Sequence, residues 1–280
     1  MPFLTVNEAN LYYEVDGSGP PLLLVMGLGG NSQVWAPIRR QLASRYRLVM
    51  YDMQGTGRSE ASPLPTTRET LLAEVDAVLT HLELPRVLAI GYSFGTSVLL
   101  NYATRNPERV QAISLVSGVY NVTPFVRYFF DVQTELADGL TRSQYLKQVL
   151  LWLFSDSFLN KNPEFFERIV YMLGRSPHAA QPFHGWRQFV GSFEPDYRGT
   201  IGALSLPTQI VHGEADKISP IGPVREAAAV REGCRLDVVP EGGHMLTWDS
   251  PEETVAALLE FLEEHGAALA PPRAEASAAP

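Results

Sequence analysis

Val87-Leu-Ala-Ile90-Gly91-Tyr92-Ser93-Phe94-Gly95-Thr96 begins with four apolar residues and ends where a helical run to Thr104 starts. The apolar residues read as a buried strand. The pattern that follows, Gly91-x-Ser93-x-Gly95, reads as a tight strand-to-helix turn with glycines where side chains would collide. Such a turn lifts a serine hydroxyl clear of the sheet and sets it at a helix N-terminus, where developing negative charge is favoured. The five-residue pattern is common by chance. A strand before it and a helix after it mark Ser93 as a candidate nucleophile.

Similar apolar runs lie on either side: Leu22–Met26, Arg47–Tyr51, Ala112–Val116, Thr208–Val211 and Leu236–Val239. Continuous apolar strands separated by helical stretches indicate a parallel sheet covered on both faces. Residues 3–15 instead alternate polar and apolar around Asn7-Glu-Ala-Asn10, which predicts an antiparallel hairpin. Thr66-x-x-Glu69 reads as a capping box before an apolar stripe at 71, 72, 75, 78, 79 and 82. Ser250-Pro251-Glu252-Glu253 reads as a second, with its helix ending near Gly266.

The alternation lapses between the fourth and fifth parallel runs. Residues 120–197 hold 17 of the chain's 28 aromatics and look helical. A helical segment inserted between two strands cannot join the sheet, so it is expected to lie over one edge as a cap. The division expected is a core of 1–118 and 201–266, a cap of 119–200, and a disordered Ala- and Pro-rich tail of 267–280. Phe125, Phe129, Trp152 and Trp186 in the cap, with Met26 and Tyr92 beside the turns, are candidate substrate contacts. Most other cap aromatics are expected to hold the cap together.

The 280 residues are 45% hydrophobic with a net charge of −9. That acidic balance, with no Lys/Arg run interleaved with aromatics, argues against nucleic acid or an anionic membrane as partner. No apolar run approaches the roughly 20 residues of a membrane span. The N-terminus lacks a secretory pattern. The single cysteine, Cys234, excludes an intrachain disulfide and fits a reducing compartment, so a cytoplasmic location is expected.

A serine hydroxyl needs a base. Of six histidines, His81 and His265 end exposed helices, His212 ends a strand, and His178 and His184 lie in the cap. His244 follows the last strand in Pro240-Glu-Gly-Gly-His244, where two glycines allow a sharp turn toward the sheet's edge. The base needs a carboxylate to orient it. Asp216, in His212-Gly-Glu-Ala-Asp216, lies just past a strand end, and Glu214 is its competitor. Residues 117–130 contain no carboxylate before Phe130, which favours Asp216 over a position after the preceding strand. An oxyanion hole needs two backbone N–H groups. Phe94 offers one, and Leu28 in Met26-Gly-Leu-Gly-Gly30 offers the other.

Gly27-Leu-Gly-Gly30, Asp52-x-x-Gly55-x-Gly57-x-Ser59, Gly91-x-Ser93-x-Gly95, and Asp216 with His244 arrive in an order that resembles the α/β-hydrolase superfamily over residues 3–265. The resemblance implies an α/β-hydrolase fold: a mostly parallel eight-stranded sheet, helices on both faces, and a helical cap after the sixth strand. The detailed pattern is similar to enol-lactonases, small carboxylesterases and methylesterases, and cofactor-free haloperoxidase-like enzymes. It implies a Ser93–His244–Asp216 triad acting on an ester or lactone of a small-molecule substrate, with no cofactor and no metal. The same residues leave open carbon–carbon bond hydrolysis, acyl transfer, and a non-catalytic ligand-binding role. Two departures stand out. Met26 occupies a position where many relatives have histidine, and Gln54 one where they often have arginine. Nothing in the sequence indicates the oligomeric state.

Overall fold

Strands buried on both faces need no polar alternation, and in the fold their side chains divide between two cores. The computed structural model describes residues 2–175, 196–266 and 269. Strands β1 (Phe3–Val6) and β2 (Ala9–Asp16) form the expected hairpin, turning through Asn7 and Glu8, both at positive φ. Strands β3 (Pro21–Val25), β4 (Arg47–Tyr51), β5 (Val87–Tyr92), β6 (Val110–Val116), β7 (Thr208–Gly213) and β8 (Arg235–Val239) are parallel to one another. The single sheet runs β1-β2-β4-β3-β5-β6-β7-β8, with β2 antiparallel to β4.

Alternate residues of each strand point to opposite faces. Leu23, Val25, Val49 and Tyr51 pack in one core, with α2 (Arg68–His81), α3 (Phe94–Arg105), α8 (Arg198–Ala203) and α9 (Ile221–Ala229). Leu22, Leu24, Leu48 and Met50 pack in the other, with α1 (Ala36–Ala43) and α11 (Pro251–Gly266). Helix α11 begins at Pro251, with Glu252 and Glu253 in its first turn, and ends at Gly266 as expected, while the capping differs in detail. Helix α2 is capped by Thr67 rather than Thr66, because Thr67 is the residue held in extended conformation, and its box closes reciprocally with Thr70. At α11 the Ser250 hydroxyl donates to Asp249.

Between β6 and β7 lie α4 (Pro124–Gly139), α5 (Arg142–Leu153), α6 (Asp156–Lys161) and α7 (Pro163–Arg175). The ends of this insert meet. Asn121 bridges Asp196, and the Tyr197 N–H donates to the Tyr120 carbonyl at 2.8 Å. Tyr197 and Ile201 already belong to the core, so the boundary expected after residue 200 falls inside α8. His178, His184 and Trp186 lie outside the described residues, as does the tail expected at 267–280 apart from Leu269, which packs on the α1–α11 core. Among the described residues no helix is long and apolar enough to cross a membrane.

Glu74 is an anomaly within α2. It is 1% exposed, and its Oε2 has no hydrogen-bond partner. Burial pushes its carboxyl from 4.5 to about 8, opposed only by a hydrogen bond from the Gln54 backbone. The fold therefore keeps a proton that the unfolded chain releases, so stability falls as pH rises from about 4.5 to about 8. Glu74→Gln should flatten that fall. Its melting temperature should lie near wild type at pH 5 and several degrees above it at pH 9, at about 2–4 °C per kcal/mol for this chain length. Thermal melts at the two pH values test this; equal alkaline losses in both proteins would assign the titration to another group.

Candidate active site

Ser93 stands between β5 and α3 at φ 52°, ψ −120°, outside the regions an L-residue favours. The structure holds it there by crowding and hydrogen bonds. A Cβ on Gly95 would come within 2.2 Å of the Val25 carbonyl oxygen, and one on Gly91 within 2.7 Å of the Gly95 carbonyl oxygen. Ser93 N–H donates to Val116 O at 2.8 Å, and Ser93 O accepts from Thr96 N at 3.0 Å and Thr96 Oγ1 at 2.6 Å. The half-buried side chain is thus presented at the first N–H groups of α3.

The loops after β7 and β8 bring the other two residues together. A Cβ on Gly213 would meet Gly242 O at 2.2 Å, and Ala215 N–H donates to Gly242 O at 2.9 Å, so the two loops touch backbone to backbone. His244 Nε2 lies 2.9 Å from Ser93 Oγ and its Nδ1 2.8 Å from Asp216 Oδ2. Asp216 Oδ1 accepts from the Ile218 and Ser219 N–H groups at 2.8 and 2.9 Å. Burial would raise the Asp216 carboxyl. The neighbouring His244 and its hydrogen bond, with His212 and the Ser219 N–H, outweigh it and hold the carboxyl below its ordinary value. An ionised Asp216 can only accept, so the Nδ1–H of His244 points to it, and a neutral imidazole then presents Nε2 as an acceptor toward the Ser93 hydroxyl. Glu214 is exposed, beside Arg225.

His212 is fully buried, with Nε2 2.7 Å from Ser219 O and 3.4 Å from Asp216 Oδ2. Burial pushes its imidazole down, which favours its neutral form against the Asp216 loop. Lys217 was not singled out by sequence. It donates to the Leu151 and Phe154 carbonyls at 2.9 and 3.2 Å, at the α5 C-terminus, where a cation is favoured. Its signal was only its place beside Asp216. Among the described residues no three His, Cys, Asp or Glu side chains are grouped to hold a metal ion.

The loop after β3 presses on Ser93. A Cβ on Gly27 would lie 2.7 Å from Ser93 Cβ, and Gly29 takes φ 66°. Asp52 braces this loop, accepting Ser32 N–H at 2.7 Å and Arg58 N–H at 2.9 Å. Leu28 follows Gly27 on that loop and Phe94 follows Ser93, so the two residues expected to offer N–H groups adjoin the contact between the two loops. Gln54 ties the hairpin, donating to Val6 O at 2.7 Å.

The candidate substrate contacts separate. Tyr92 is fully buried, its Oη donating to His244 O at 2.5 Å, so it holds the His244 backbone rather than facing a ligand. Met26 is 6% exposed and packs inward beneath Gly30, whose Cβ would meet its Cγ at 2.4 Å, so it supports the loop from the core. Phe129 and Trp152 meet edge to face with ring centroids 5.2 Å apart, in a cluster with Val119, Val126, Phe130, Ile218 and Leu28. Leu28 and Ile218 thus carry that apolar cluster to the Ser93 and Asp216 loops. Phe125 is 47% exposed, its ring 6.5 Å from Trp152. Trp186 lies outside the described residues.

Residues 20–251 match the family described as the alpha/beta hydrolase fold. The chain is 28% identical to a putative non-heme chloroperoxidase of Synechocystis, over 94% of this chain and 100% of the relative. It is also 28% identical to a putative carbamate hydrolase of Caulobacter, over 92% and 97%. Among solved structures, the enol-lactonase of Burkholderia xenovorans superposes with a TM-score of 0.81 at 21% identity, covering 94% of this chain and 100% of that one. The match covers most of the chain: the chain belongs to the α/β-hydrolase fold family.

Proposed function

We propose that the protein is a serine hydrolase that cleaves an ester or lactone of a small-to-medium apolar or aromatic substrate through an acyl-serine. The observation that carries this reading is the unbroken hydrogen-bonded series from Ser93 Oγ through His244 to Asp216. In it, Ser93 Oγ attacks the carbonyl carbon as its proton passes to His244 Nε2. The N–H groups of Leu28 and Phe94 receive the oxyanion. His244 then returns the proton to the departing alcohol, leaving acyl-Ser93. Water, deprotonated by the same imidazole, attacks the acyl carbon, and the acid leaves as Ser93 regains its proton.

The apolar cluster around Leu28, Phe129, Trp152 and Ile218 supports an apolar acyl or ring group. The similarity to a putative carbamate hydrolase favours a second reading, in which the acyl carbon belongs to a carbamate and the same steps apply. Aryl carbamates beside aryl esters in one assay separate the two.

Ser93→Ala should leave the fold intact and lower p-nitrophenyl ester turnover by about 10³-fold or more, as in other triad removals. Near wild-type rates in that variant, purified from a host without background esterase, would end the covalent mechanism.

Asp216→Asn keeps shape but offers His244 an amide, which can hold the wrong tautomer. Its kcat/KM should collapse, whereas Glu214→Gln should be mild. A reversed order would transfer the acid's role to Glu214.

Across p-nitrophenyl acetate, butyrate and hexanoate, kcat/KM should rise several-fold per buried methylene until the pocket fills, given about 0.8 kcal/mol per buried CH₂. Acetate matching or exceeding hexanoate would remove the apolar pocket from the proposal.

A further inference from the structure

The backbone around His244 is held by three different elements at three consecutive residues. Tyr92, on β5, holds the His244 carbonyl. Leu153, at the end of α5, accepts the Met245 N–H at 2.8 Å. The third anchor is Asp249, at the end of the short helix α10 (Leu246–Asp249). Its Oδ2 accepts the Gly243 N–H at 2.8 Å and the Ser155 N–H at 3.1 Å, and its Oδ1 accepts the Ser250 hydroxyl at 3.1 Å.

One carboxylate oxygen therefore joins the residue before His244 to Ser155, the second residue beyond α5. The approach is close. A Cβ on Gly243 would lie 2.5 Å from Ser155 N and 2.7 Å from Asp249 Oδ2. Only a glycine backbone fits between the insert and this carboxylate. Ser155 itself caps α6, accepting the Phe158 N–H at 3.2 Å, so the link reaches into the insert's helices.

We infer that Asp249 is a positioning residue for His244, fixing the base loop against the α5–α6 turn of the insert. It touches neither Ser93 nor His244's ring; it acts by holding the Gly243 peptide, and through it the imidazole, in register with Ser93. The inference rests on His244 being the base proposed above. Alanine would release both N–H groups and let the Gly243–His244 peptide turn. Displacements of about 1 Å at a reacting group cost on the order of 10²-fold in rate. Asparagine can present Oδ1 to the same two N–H groups and Nδ2 to Ser250 Oγ, so it serves as the conservative rescue.

The test compares wild type, Asp249→Ala, Asp249→Asn and Ser93→Ala on p-nitrophenyl butyrate, with thermal melts. In parallel, proton NMR reads the downfield signal of the His244 Nδ1–H···Asp216 hydrogen bond, which needs no substrate. Asp249→Ala should lower kcat about tenfold or more with KM within about twofold, and weaken the downfield signal. Asp249→Asn should recover most of both. If Asp249→Ala does not fold, Asp249→Ser replaces it, its hydroxyl being too short to reach Gly243. A variant that melts earlier yet keeps wild-type kcat and an unchanged downfield signal overturns the inference, because that is a purely structural role. An active Ser93→Ala would sink the proposed function instead, while the NMR comparison would still decide the role of Asp249.

Discussion

A serine at φ 52°, ψ −120° is a conformation that no local preference supplies. Backbones in such regions cost about 1–3 kcal/mol and persist only where their surroundings over-determine them. Here the surroundings are other backbones: the end of β3 against Gly95, the Gly27 loop against Ser93, and β6 accepting the Ser93 N–H. The two covered cores of the sheet exist in part to hold that turn still. The same geometry sets the serine at the N-terminus of α3.

Proximity of main chain to main chain recurs at each junction of the site. Gly213 lies against Gly242, and Gly243 lies between Ser155 and Asp249. Side chains there would separate the loops by more than a hydrogen bond. The positions of Asp216 and His244 are thus set first by what is missing from their neighbours and only then by the carboxylate–imidazole attraction. With Oδ1 of Asp216 engaged by two N–H groups, Oδ2 is left to the imidazole, which fixes the side chain's orientation.

Much of this was legible in sequence because the determining signals are local. The apolar runs are the strands, and the Gly-x-Ser-x-Gly turn lies between a strand and a helix. Asp216 and His244 fall at the ends of the last two strands, where parallel topology gathers loops at one edge. What failed concerned direction. Tyr92 and Met26 stand beside the site in sequence, but one side chain points under it and the other into the core. A fully apolar strand carries no alternation to reveal which face a residue takes. Asp249 escaped notice for another reason. It reads as an ordinary acid before a helix, and its partner Ser155 is 94 residues away. Thr66 and Thr67 are interchangeable by pattern, and only backbone conformation chose between them.

The insert leaves and rejoins the core at adjoining residues, where Asn121 bridges Asp196 and Tyr120 meets Tyr197. A segment whose ends are side by side places no tension on the sheet, whatever its length. Loop-closure entropy grows only logarithmically with added residues. The portion that would line the ligand space can therefore be lengthened, shortened or exchanged while β6 and β7 keep their register. Among the described residues, that freedom is limited at the turn after α5. Residues 151–155 are tied to both loops of the site, through Lys217 on one side and Met245 and Asp249 on the other. A transplanted insert that lacked this short turn would join the sheet without difficulty and leave the histidine loop only its contacts with the core, Tyr92 and Asp249.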